Sequence, residues 1–89
     1  MRFRICGKYW NFRFVSRMSN WGLCNYTKRE ITVQAGLSDE HTLDTEIHEL
    51  LHAAGDFLDE DWVGTTATDI ARALIRLGWT RIDKPKSNK

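Results

Sequence analysis

Three residues near the middle of the chain, His48, Glu49 and His52, have the types and the spacing to activate water at a metal ion. They form an H-E-x-x-H motif. On a helix its two histidines fall one turn apart on one face, so both imidazoles reach one zinc ion at about 2.0 to 2.1 Å. Glu49 then lies beside them, where a carboxylate can take a proton from the activated water. Three fixed residues recur by chance in many helices, so the neighbourhood has to decide. At about 100° per residue, Leu43, Ile47, Leu50 and Ala54 make an apolar stripe, and His41, Thr45, His48 and His52 make a second stripe roughly opposite. Every histidine of the protein lies on that second stripe, in a segment without Lys or Arg. An ordinary surface helix would carry Lys and Glu there, so a metal site is a better reading than histidines that merely face water.

Catalytic zinc takes three protein ligands and keeps a position for water. In the longer metzincin pattern, H-E-x-x-H-x-x-G-x-x-H, the glycine matches Gly55, but the third histidine falls on Leu58, which cannot bind zinc. Glu60 comes two residues later, in the first turn of a second helix, and the intervening chain is long enough to fold back over the site. Glu60 is therefore chosen as the third ligand. Asp59 is nearer but suits the cap of that helix, and Asp61 points about 100° away from Glu60. Asp59, Asp61, His41 or no third protein ligand stay open as alternatives.

The elements that must position these residues can be read from period and punctuation. Arg2 to Cys6 and Tyr9 to Val15 alternate, and Gly7-Lys8 between them predicts a two-residue hairpin turn pairing Ile5 with Trp10 and Phe3 with Phe12. That hairpin has an aromatic inner face and a basic outer face of Arg2, Arg4 and Arg13. Ser16 to Thr27 breaks the alternation and reads as a loop, with Trp21 pinning it. Glu30 to Ala35 alternates again, with Ile31, Val33 and Ala35 inward and Thr32 and Gln34 outward. Ser38 caps the metal helix, which ends at Gly55. Asp59 caps a second helix with the stripe Val63, Ala67, Ile70, Leu74 and Leu77, closed by Gly78. The expected class is α+β: a three-stranded sheet, made of the hairpin plus one strand, packed on two helices.

At 89 residues the chain is expected to form a single domain over residues 1–82, with a basic, disordered tail over 83–89. A domain this small buries only about 60 to 65% of its unfolded surface, so a bound metal would add stability that it needs. Cys6 and Cys24 are too few for a disulfide framework and form no C-x-x-C pair. With no signal-peptide pattern and no apolar run of membrane-spanning length, the expected location is intracellular, in the cytoplasm.

The net charge of +1 hides three blocks. Residues 1–29 hold seven Lys or Arg and no acid, residues 30–61 hold ten Asp or Glu and no Lys or Arg, and residues 62–89 return to six basic against two acidic. A basic block can mark a nucleic-acid surface, but neutralisation of the acidic middle within the fold is the favoured reading.

Gly22-Leu23-Cys24, Arg29-Glu30-Ile31-Thr32-Val33, Thr45 to Ala53, Leu58-Asp59-Glu60-Asp61, Asp69 to Leu74 and Leu77-Gly78-Trp79 together resemble a group of small phage-type zincin-like metallopeptidases. The resemblance covers most of residues 3–80 and is more distant to metzincins and to SprT-like proteases, whose zinc-ribbon cysteines are missing here. It implies a minimal zincin-like fold, and it supports Glu60, because an acidic residue recurs at that position in the group.

The expected function is zinc-dependent peptide-bond hydrolysis: Zn2+ on His48, His52 and Glu60, Glu49 as general base, and a peptide or protein substrate. The free edge of the strand before the metal helix is expected to hold that substrate through Thr32 and Gln34. The oxyanion stabiliser is open among Tyr9, Tyr26, Arg72 and Arg76. The alternatives are a non-catalytic zinc-stabilised domain, or a nucleic-acid or protein-binding module that uses the basic hairpin.

Overall fold

The first chain reversal falls at Cys6 and Gly7, whose φ angles of 50° and 81° are the left-handed pair that a two-residue hairpin turn requires. The computed structural model describes residues 1–82, and the tail expected over 83–89 lies outside them. The turn joins β1 (Arg2–Ile5) to β2 (Lys8–Val15), antiparallel, with Phe3 opposite Trp10 and Ile5 opposite Lys8. This register is two residues from the expected pairing of Ile5 with Trp10. An even slip leaves every side chain on its face, so the aromatic and basic sides survive the correction.

A third strand lies inside the segment expected to be a loop. β3 (Gly22–Asn25) pairs antiparallel with β4 (Glu30–Gln34), and β4 pairs parallel with β2, so the sheet has four strands in the order β1-β2-β4-β3. The expected three-stranded sheet is corrected to four. β3 escapes the sequence pattern because it is short and begins and ends with the turn formers Gly22 and Asn25, so its extended form depends on the ladder β4 offers.

Both helix starts follow from their caps. Ser38 Oγ accepts from His41 N at 3.2 Å to open α1 (Asp39–Ala54), and Asp59 Oδ2 accepts from Trp62 N at 3.0 Å to open α2 (Glu60–Arg76). Acidic residues fill both first turns, Asp39 and Glu40 in α1 and Glu60 and Asp61 in α2, where they complement the positive end of the helix dipole.

Trp10, Phe12, Phe14, Ile31 and Val33 form the core beneath α1, with Leu50 and Ala53 packed on it. α2 packs on α1 rather than on the sheet, giving the layers sheet, α1, α2. Its contact line is Val63, Ala67 and Ala71, all fully buried, whereas Ile70 and Leu77 of the expected stripe are 38% and 83% exposed. The line advances strictly by four, and small side chains on it let the two helices approach closely. The C-terminal segment returns to α1 through an ion pair between Arg81 and Glu46. Among the described residues no helix is long and apolar enough to cross a membrane.

Candidate metal centre

His48 and His52 stand one turn apart on α1, with ring centroids 4.9 Å apart. The turn that opens α2 brings Glu60 against both: its Oε1 lies 2.9 Å from His48 Nε2 and its Oε2 lies 2.7 Å from His52 Nε2. One donor atom from each of these residues lies within 4.8 Å of the others, which is close enough to share one ion. Two imidazoles and a carboxylate make a donor set that suits zinc. The histidine side chains are 23% and 15% exposed and that of Glu60 is 68% exposed, so the cluster opens to solvent on the α2 side.

Two of the alternatives for the third position are engaged elsewhere. The Asp59 carboxylate accepts the Trp62 N–H as helix cap, and His41 stacks on Trp21 at 4.8 Å. Asp61 lies in the same first turn but outside the cluster.

Glu49 is 8% exposed. Burial pushes its carboxyl up to about 7, against the pull of His52 and with the help of the Glu60 charge. It packs directly on β3. A methyl group on Gly22 would lie 2.9 Å from Glu49 Cγ and Oε2 and 2.7 Å from Thr45 Cγ2, so only glycine lets the strand pass this close to the metal helix. Gly22 falls in the segment expected to be a loop, and this role is not visible in the sequence because its neighbour Glu49 is remote along the chain.

Trp21, Gly22, Cys24 and Tyr26 form one wall of an open cleft of ≈ 750 Å³, and His48, Glu49, His52 and Glu60 line the other side. The Tyr26 ring packs edge-on against Trp10, with centroids 6.2 Å apart. Burial and the neighbouring Cys24 thiol push the Tyr26 phenol up to about 12, so it keeps its proton. Of the four candidates for oxyanion stabiliser, only Tyr26 lines this cleft; Tyr9 lines a separate concavity, and Arg72 pairs with Glu40 at 3.8 Å.

Thr32 and Gln34 do not lie on a free edge. β4 is bonded on both sides, with Thr32 between Arg13 and Leu23, so the expectation that these two residues hold a substrate fails. The edge beside the cleft belongs to β3. Thr32 points to the face away from α1, and the neighbouring strands leave it only 7% exposed.

Compared with protein-family models, curated proteins and solved structures, the chain matches none of them.

Proposed function

We propose that this chain is a zinc-dependent peptidase of minimal zincin-like build. The observation that carries the reading is the convergence of His48, His52 and Glu60 at one point, with buried Glu49 beside them in a cleft walled by a strand edge. A zinc ion held by these three residues would supply Lewis acidity, lowering the pKa of water and polarising a carbonyl. Glu49 takes the water's proton and passes it to the leaving amine; a carboxyl held near 7 suits both halves of that transfer. An extended peptide adds to the outer edge of β3, where main-chain hydrogen bonds hold it regardless of its side chains. Tyr26, protonated and in the same cleft, donates to the oxygen that gains charge.

The test is metal content and hydrolysis of an unfolded protein by the wild type and by Glu49→Gln. About one zinc per chain is expected in both, with turnover lower by about 100-fold or more in the variant. Equal turnover would remove Glu49 as general base. A fully zinc-loaded wild type that cleaves nothing would leave a structural zinc domain as the function.

A further inference from the structure

The acidic block of residues 30–61 lies largely apart from the basic block of residues 1–29. Nine of the ten acids of residues 30–61 lie on α1, α2 or the connection between them, on the helix side of the sheet. Arg13 pairs with Glu30 across the two blocks at 3.5 Å. Among the described residues, Arg2, Arg4, Lys8, Lys28 and Arg29 meet no carboxylate. Like charges gathered without an internal counter-charge raise the local potential and favour an anionic partner.

These cations converge at one end of the open face. Arg2, Lys8, Tyr9, Asn11, Lys28 and Arg29 line a concavity of ≈ 590 Å³, distinct from the metal cleft. The turn that carries Lys28 and Arg29 is built into the sheet: Asn11 N donates to Arg29 O at 2.9 Å, and Asn25 Oδ1 accepts from Lys28 N at 3.0 Å. At its centre stands Tyr9, half exposed, with the Arg2 guanidinium 4.3 Å and that of Arg4 5.6 Å from the ring centroid. The cluster therefore offers planar groups for stacking, an amide in Asn11 for hydrogen bonding, and several cations.

We propose that this face binds single-stranded nucleic acid, with phosphates on Arg2, Lys28 and Arg29 and a base stacked among Tyr9 and the guanidinium planes. A bare anionic peptide would use the cations but leave the aromatic centre idle. A duplex presents its bases inside grooves, and among the described residues no helix lies on this sheet face to enter one. The proposal rests on the open face alone and is independent of the metal reading.

The experiment is fluorescence anisotropy of the zinc-treated full chain with a labelled thymidine 12-mer, a duplex of the same length and polyglutamate. Three or four phosphate contacts predict a slope of log K against log salt of about −2 to −3, so binding weakens by about 15- to 60-fold between 50 and 200 mM salt. Tyr9→Ala should weaken it by about fivefold or more, with Tyr9→Phe restoring it. Arg2→Ala with Lys28→Ala should flatten the slope by about one to two. All variants are compared at equal melting temperature and metal content, so a folding defect is not read as lost binding. Absence of salt-dependent binding to the 12-mer overturns the proposal. Tighter binding to the duplex, or equal binding to polyglutamate with no loss in Tyr9→Ala, overturns the single-strand assignment.

Discussion

Along β2 the side chains alternate between two environments. Trp10, Phe12 and Phe14 lie buried beneath α1, while Tyr9, Asn11 and Arg13 stand on a face that, among the described residues, no helix covers. The difference is one of chemistry as well as of burial. The covered side leads through α1 to three histidines and ten carboxylates on the two helices and their connection, whereas the open side collects guanidinium and ammonium groups around one aromatic ring. Strand alternation alone separates these charges, since a one-residue slip would exchange the faces. A 10.4 kDa chain can thus keep an acidic candidate metal cluster and a basic surface apart on two sides of one sheet.

The comparison breaks first at the metal. Glu60→Ala should lower zinc affinity by more than about 100-fold, beyond what losing a group that only hydrogen-bonds a ligand costs, while Asp61→Ala should change it little. Titration against a chromophoric chelator measures both. Comparable losses in the two variants would mean that the α2 acids act as general counter-charge and not as one ligand.

Gly22→Ala tests the contact between the covered side and its edge strand. The added methyl group meets Thr45 and Glu49, so about 1 to 3 kcal/mol of stability should be lost, seen as a lower denaturation midpoint. An unchanged midpoint would show that β3 stands further from α1 than described.

The two cysteines sharpen the contrast chemically. Cys6 is exposed at the hairpin turn, whereas burial and the Glu49 charge push the Cys24 thiol up to about 11. The thiolate is the reactive form, so raising the pKa withholds it: at pH 8 alkylation of Cys24 should run about tenfold or more slower than that of a free thiol, and should accelerate as pH rises towards 11. Mass spectrometry after timed labelling reads each site separately.

The smallest effect belongs to the open face. Arg4→Ala removes an exposed side chain that, among the described residues, meets no carboxylate, and should move stability by no more than about 0.5 kcal/mol, with metal content unchanged. A large loss would show that the basic face is part of the fold's support.

The elements that a local signal defines are legible in the sequence. Ser38 and Asp59 mark both helix starts because a cap needs only the next turn, and the spacing of His48 and His52 is itself a helical geometry. The approach of Glu60 to that pair is legible as reach, since few residues separate it from His52. What stays hidden depends on partners remote in sequence. β3 is a strand because β4 bonds it, and that pairing takes the edge away from Thr32 and Gln34. Gly22 must be glycine because of Glu49, and Ile70 and Leu77 are exposed because α1 selects the narrower line of Val63, Ala67 and Ala71.

The strand order also sets a timetable. β1 with β2 and β3 with β4 are each joined by a short turn and can form locally, but the parallel pairing of β2 with β4 sets Asn11 opposite Glu30 and must wait for a longer loop to close. All four strands end by Gln34, before the ribosome reaches His48. At about 5 to 20 residues per second, synthesis delivers all four strand sequences before the first residue of the candidate metal cluster exists. The residues of the cationic face are therefore all in the chain before the cluster of His48, His52 and Glu60 can assemble.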